Sequence, residues 1–165
     1  VASLLKTVVP TLASISERRI NKLVDAATSD GLPPFLSRNP NNTDSGFMIV
    51  QYSAASLVND LASRAFPASV FSVPTSANTE DHVSMGWSAA RKLRQVVENL
   101  QRIAAIELVA SARALELRAP LKPAPITGAV CSRLAQEISG AGPDRFLSPE
   151  LERATQFVRA GKVLG

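Results

Sequence analysis

Residues 80–117 contain no proline, and their one glycine is Gly86. That uninterrupted run constrains the fold more than any other feature. As a helix from Glu80 to Leu117 it would be about 55 Å long. Trp87, Ala90, Leu93, Val97, Leu100, Ala104, Leu108, Ser111 and Leu115 recur at threes and fours, and Val96, Ile103 and Ile106 widen the stripe. A helix longer than a small domain needs must bury its apolar face against other long helices. The chain supplies at most two of these, so partner chains are expected to supply the rest. The expected class is all-α, a long-helix bundle.

Proline and glycine punctuate the rest. A first helix is expected from about Ala2 to Ala26, bent or broken near Pro10 and Ser16. A loop covers Asp30 to Asp44. Helical periodicity returns from about Gly46 to Ala65, with Met48, Tyr52, Ala55, Leu57 and Leu61 as candidates for burial, and Pro67 ends it. Ala68 to Asn78 is a second loop around Pro74. Arg118 to Thr127 is a proline-rich linker, followed by short helices at about Ala129–Ser139 and Pro149–Ala160. Ser148 stands as the N-cap of the last, with Pro149 at its first position and Glu150 and Glu152 in its first turn. Two units result: 1–118, a central bundle portion carrying the site loops, and 119–165, the linker and short C-terminal helices.

Composition narrows the function classes. The chain of 165 residues has a net charge of +4, but its basic residues are dispersed among acids rather than gathered on a stripe. Arg94–Glu98 and Glu98–Arg102 are both spaced as i,i+4 pairs, which reads as a solvated helix face or a subunit contact and not as a nucleic-acid surface. Cys131 is the one cysteine, so no internal disulfide can form, and a reducing cytoplasm is expected. No stretch of about 18 uncharged apolar residues exists, so no membrane span is expected. The chain begins with Val1, and Leu4, Leu5, Val8, Val9 and Leu12 already read as mid-helix, so it is expected to be cut from something longer.

Generic motifs add no chemistry. His82 is the one histidine, there is no Gly-x-Ser-x-Gly elbow, and an all-helical chain has no strand to carry one. One histidine and one distant cysteine make no zinc site, so no metal is expected. No glycine-rich phosphate loop follows a strand.

Specific motifs say more. Ser16-Glu17-Arg18-Arg19-Ile20, the Gly-Leu-Pro-x-Phe-Leu stretch from Gly31 to Leu36, Ser45-Gly46-Phe47-Met48-Ile49 and Pro67-Ala68-Ser69-Val70 occur in this order. The run from Pro74 to Met85 follows, and then Ala89 to Arg94, Ala119-Pro120-Leu121-Lys122 and Asp144-Arg145-Phe146. In order and spacing, over nearly the whole chain, they resemble the carboxy-terminal part of the aromatic amino acid ammonia-lyase and aminomutase family, nearest its histidine branch. The resemblance implies the C-terminal part of the ammonia-lyase fold and a homotetramer built on long helices. It implies elimination of ammonia from an aromatic amino acid, L-histidine to trans-urocanate in the histidine branch. The electrophile would be methylidene-imidazolone, made from an internal Ala-Ser-Gly.

That tripeptide is absent here: Ser45-Gly46 follows Asp44, and Ser139-Gly140 follows Ile138. The electrophile is therefore expected from an upstream segment or partner chain, and the isolated chain is expected to be inactive. Two positions carry over from the resemblance. Phe47 would form an apolar wall beside the electrophile and substrate, or else be a core aromatic at a helix start. Glu80 would face the substrate imidazole as a catalytic and binding carboxylate. Glu80 also suits the first turn of the long helix, capped by Asn78 or Thr79. His82 is expected to be structural, and Met85 and Trp87 to be core or interface residues.

Several positions depart from the branch. Asp44 stands where Asn is common, Phe66 where His is common, Phe71 where Asp is common and Thr79 where Gln is frequent. Asp60-Leu61-Ala62 replaces a frequent Glu-Asn-Lys. These changes cluster in the second helix and the loop after it, and they add apolar surface. Two alternatives therefore stay open: a non-catalytic helical oligomerisation domain, and a divergent phenylalanine or tyrosine lyase or aminomutase.

Overall fold

A computed structural model describes residues 1–39 and 43–164. The Asp30–Asp44 loop expected from the sequence therefore lies partly outside the described residues. Among the described residues there are five α-helices and no extended strand: α1 (Ala2–Val24), α2 (Met48–Arg64), α3 (Gly86–Leu117), α4 (Pro125–Leu134) and α5 (Ser148–Arg159). This is the all-α architecture expected. α1 packs most extensively on α3, α2 packs on both, and α5 packs on α3. No helix of the described residues is long and apolar enough to cross a membrane.

The boundaries correct the sequence reading in four places. α1 runs unbroken through Pro10 and Ser16. α3 starts at Gly86, six residues later than expected, with Met85 as its cap and no side-chain capping bond. At 32 residues it is about 48 Å long. α4 begins inside the expected linker, because Pro125 at the first position has the fixed φ of a helix start and no N–H to satisfy. Ser148 is the first residue of α5, and Leu147 occupies the cap.

The buried register of α3 also differs. Ala89, Val96, Asn99, Ile103, Ile106, Ala110 and Arg113 face the core. Their spacings of three, four and seven keep one face inward. Trp87, 77% exposed, and Ala90 and Val97 face outward. Both registers satisfy helical periodicity. The structure takes the one containing Asn99 and Arg113, whose polarity argues against burial in a sequence.

The core is thick toward the C-terminal half of α3. There Ile20, Val24, Leu36, Phe47, Val50, Ile106, Val109 and Ala110 join Leu134 of α4 and Ala154 and Phe157 of α5. Toward its N-terminal half the core narrows to Ala13, Leu61, Val96 and Ile103. On α2, Leu61 is buried as expected, but Tyr52 is exposed while Val50 and Ala54 are inside.

Polar ties cross these helices. Ser16 and Arg19 of α1 both donate to the Glu107 carboxylate. Gln51 of α2 and Arg18 bond the buried Glu17, and with Gln51 and Arg18 donating, its carboxyl lies below the ordinary range although burial opposes this. Asp60 accepts from Arg64 and from the buried Asn99. Asp60, one of the departures from the branch, thus has a structural role.

Candidate functional site

The segment between α2 and α3 carries Glu80 and is held by two clamps. Thr75 and Glu80 form an isolated antiparallel bridge, the backbone N–H of each donating to the carbonyl of the other at 3.1 and 3.3 Å. Ser76, Ala77 and Asn78 between them all have positive φ, at 52°, 52° and 68°. The left-handed region costs an L-residue roughly 1–2 kcal/mol, so three in succession persist only where the ends are fixed. Lower in the segment, the Ser72 hydroxyl accepts from the Val83 N–H at 2.8 Å and donates to the Val83 carbonyl at 3.1 Å.

Glu80 is therefore not in the first turn of the long helix, and neither Asn78 nor Thr79 caps it. The backbone groups of Glu80 are occupied by Thr75, so no helix can begin there. The Glu80 side chain is exposed. Its Oε2 accepts from the Thr75 hydroxyl at 2.6 Å, and Oε1 has no partner among the described residues. His82 is exposed and takes no part in a hydrogen bond among them. The Phe66 and Phe71 rings meet at 6.0 Å, tilted by 39°. Two residues that depart from the branch separately are thus partners in space, and both are exposed, as are Val70 and Val73 in the same segment.

Phe47 lies elsewhere. It is 2% exposed, and its ring sits beneath the Arg113 guanidinium, whose centre is 4.8 Å from the ring centroid. Its N–H donates to the Phe35 carbonyl at 2.7 Å. Gly46 before it has φ of +56°, and a Cβ there would stand 2.4 Å from that same carbonyl, so only glycine fits. Arg113 donates to the carbonyls of Leu36 and Gly142, tying this loop to the segment before α5. Among the described residues the guanidinium has no carboxylate in salt-bridge contact, and desolvation, with Arg145 near it, lowers its pKa. Arg145 forms a two-bond pair with Glu150, which is 6% exposed. A cavity of about 410 Å³ opens beside Phe47, Arg113, Glu116, Cys131, Leu134 and Ile138.

Phe47 and Glu80 do not share a site within one chain. Arg113, beside Phe47, is about 40 Å along α3 from Gly86. The segment from Glu80 to Gly86 can reach back at most about 20 Å. Within one chain Phe47 is a buried aromatic at the start of α2, so the two side chains could meet one substrate only across a subunit boundary.

Neither Ser-Gly pair is arranged to form the family's electrophile. The N–H groups of Ser45 and Gly46 both donate to the Asp144 carboxylate, and Gly140 and Ala141 are packed on Glu116. With Asp44 and Ile138 in place of the alanine, these residues do not fit the group. Among the described residues no cluster of three His, Cys, Asp or Glu could hold a metal. The motif singled out Glu80, whereas no spacing rule marks the hydrogen bonds that Thr75 and Ser72 make in this segment.

Comparison with known proteins fits this geometry. The model of the family described as aromatic amino acid lyase matches residues 2–136. A histidine ammonia-lyase of Streptomyces avermitilis is 53% identical over 93% of the chain and 30% of its own length. The crystal structure of histidine ammonia-lyase from Trypanosoma cruzi superposes with a TM-score of 0.93 at 39% identity, over 98% of this chain and 32% of that one. A tyrosine aminomutase from Streptomyces globisporus superposes with a TM-score of 0.92 at 30% identity, over 99% of this chain and 31% of that one. The chain spans about a third of the length of these proteins.

Proposed function

The chain belongs to the aromatic amino acid lyase family, and we propose that it is the carboxy-terminal part of an ammonia-lyase that converts L-histidine to trans-urocanate in the cytoplasm. The methylidene-imidazolone electrophile, which accepts electron density from the substrate when present, comes in this reading from an upstream segment or partner chain. The chain contributes scaffold, subunit contacts and the Glu80 carboxylate.

The observation that carries the reading is the exposed Glu80 carboxylate, held at one oxygen and open at the other. A carboxylate can pair with an imidazolium or accept an imidazole N–H. A phenyl ring offers it neither. Identity of about half to histidine ammonia-lyases supports histidine as substrate. Assembly into a larger helical bundle is supported by the outward row Leu4, Leu5, Val8, Leu12 and Ile15 on α1, each roughly half exposed or more. Phe47 packs the core of its own chain, and in this reading a role as apolar wall beside the electrophile rests on its motif.

The test is turnover by the full-length protein that contains this chain, followed by near-ultraviolet absorbance of the unsaturated acid. Glu80→Gln should lower activity on histidine about a hundredfold and activity on phenylalanine less. Equal loss on both would remove Glu80 from the substrate. Production of urocanate by the isolated 165-residue chain would overturn the external source of the electrophile.

A further inference from the structure

A carboxylate on an exposed loop rotates freely about its side-chain torsions, and a group that must meet one substrate nitrogen needs those torsions fixed. The Glu80 side chain has one tether among the described residues, the Thr75 hydroxyl at 2.6 Å on Oε2. We propose that Thr75 is a positioning residue: its hydroxyl holds one oxygen of Glu80 so that Oε1 is turned to the substrate. This rests on Glu80 facing the substrate.

Three observations support it. First, the tether is short and charge-assisted, the stronger class of hydrogen bond, and it comes from the residue that also pairs with the Glu80 backbone on both sides. Thr75 thus fixes main chain and side chain of Glu80 together. Second, the three left-handed residues between them include Ser76 and Ala77, which have little tendency toward that conformation. An ordinary two-residue turn would close this bridge at lower cost. The longer strained turn sets Glu80 directly across from the Thr75 hydroxyl, and backbone strain of this kind collects where a side chain must be aimed. Third, the turn does not stabilise a core. Residues 73–82 are all exposed, and no member of either hydrophobic cluster lies among them. The Ser72–Val83 latch ties the base of the same segment together, below the Thr75–Glu80 bridge.

The experiment uses the full-length protein containing this chain, with histidine as the probe. Thr75→Val keeps the shape and both backbone bonds but removes the hydroxyl. It should lower kcat/KM about tenfold or more, and Thr75→Ser, which restores a donor, should recover most of the loss. In a Glu80→Ala background, Thr75→Val should cause no further loss, because the two residues act as one unit. Thr75→Ala replaces the valine variant if the latter does not assemble. Full activity of Thr75→Val, failure of Thr75→Ser to recover any, or the same loss repeated in the Glu80→Ala background would each overturn the proposal. If Glu80→Gln itself leaves histidine turnover intact, the reading of Glu80 fails first. If Glu80→Gln is impaired and Thr75→Val is not, only the role of Thr75 fails.

Discussion

The two ends of α3 are built on opposite principles. At its C-terminal end, Phe47, Leu36 and Val109 are enclosed by side chains from α2, α4 and α5, and even the charged Arg113 is 7% exposed with carbonyls on two of its nitrogens. At its N-terminal end, residues 73–82 around Glu80 are exposed, and the segment is held by the hydrogen bonds of Thr75 and Ser72. One end is rigid because it is packed; the other is shaped by polar clamps while its surface stays open. A substrate-facing carboxylate suits the second arrangement, because its surface is open and its position is still fixed by hydrogen bonds. Phe47 shows the other arrangement: the motif places it at the start of α2, where the fold itself needs its ring.

Truncating both residues should separate the ends most sharply. Phe47→Ala removes a fully buried ring and its contact with Arg113, and should cost about 3–5 kcal/mol of stability. Glu80→Ala removes an exposed side chain and should change stability by less than about 0.5 kcal/mol while lowering turnover. Denaturant unfolding of the full-length protein, read beside its activity, checks both. If Phe47→Ala left stability intact but weakened substrate binding, the wall role expected from the motif would be supported and the contrast would collapse.

Much of the fold was legible because proline, glycine and apolar period act locally. Pro67 and the proline-free run after Gly86 delimit helices without help from tertiary structure. The register of α3 was not legible. Two overlapping apolar stripes satisfy the same period, and the buried one includes Asn99 and Arg113, whose partners Asp60, Leu36 and Gly142 come from distant segments. The start of α3 failed for a related reason. Acidic Glu80 and Asp81 look like a first turn, whereas the bridge to Thr75 and a left-handed Ser76-Ala77 are written in no local preference. In the segment before α3, the motif singled out Glu80 but not the Thr75 hydroxyl bonded to it. Phe66 and Phe71 stood out singly, and their pairing emerged in space.

A milder effect should appear at the packed end as pH falls. The Arg145 guanidinium, through hydrogen bonds and charge, holds the Glu150 carboxyl below its ordinary value of 4.5. The folded state therefore binds that proton more weakly than the unfolded chain. The stabilisation is present above the unfolded value and is lost as pH falls through the depressed folded one. Glu150→Gln should destabilise the protein at neutral pH and flatten the loss of stability below about pH 4.5. Unfolding midpoints across pH 3–7 check this, and an unchanged acid slope would show that the pair does not set it.

The smallest effect is expected on the outward face of α3. Arg94 pairs with Glu98 at 3.1 Å one turn away, and its side chain is 82% exposed. Such a pair gains little in water and is screened by salt, so Arg94→Ala should change chain stability by less than about 0.5 kcal/mol. Its position makes the small number informative. Leu93 and Val97 flank it on the face the core does not use, beside Arg159. If that face meets another subunit, Arg94→Ala will weaken association while leaving the chain's own unfolding alone, and light scattering over a dilution series will separate the two. A large loss of unfolding stability that does not depend on concentration would instead mean that the open end relies on surface charge for its hold, and the division between packed and clamped ends would have to be redrawn.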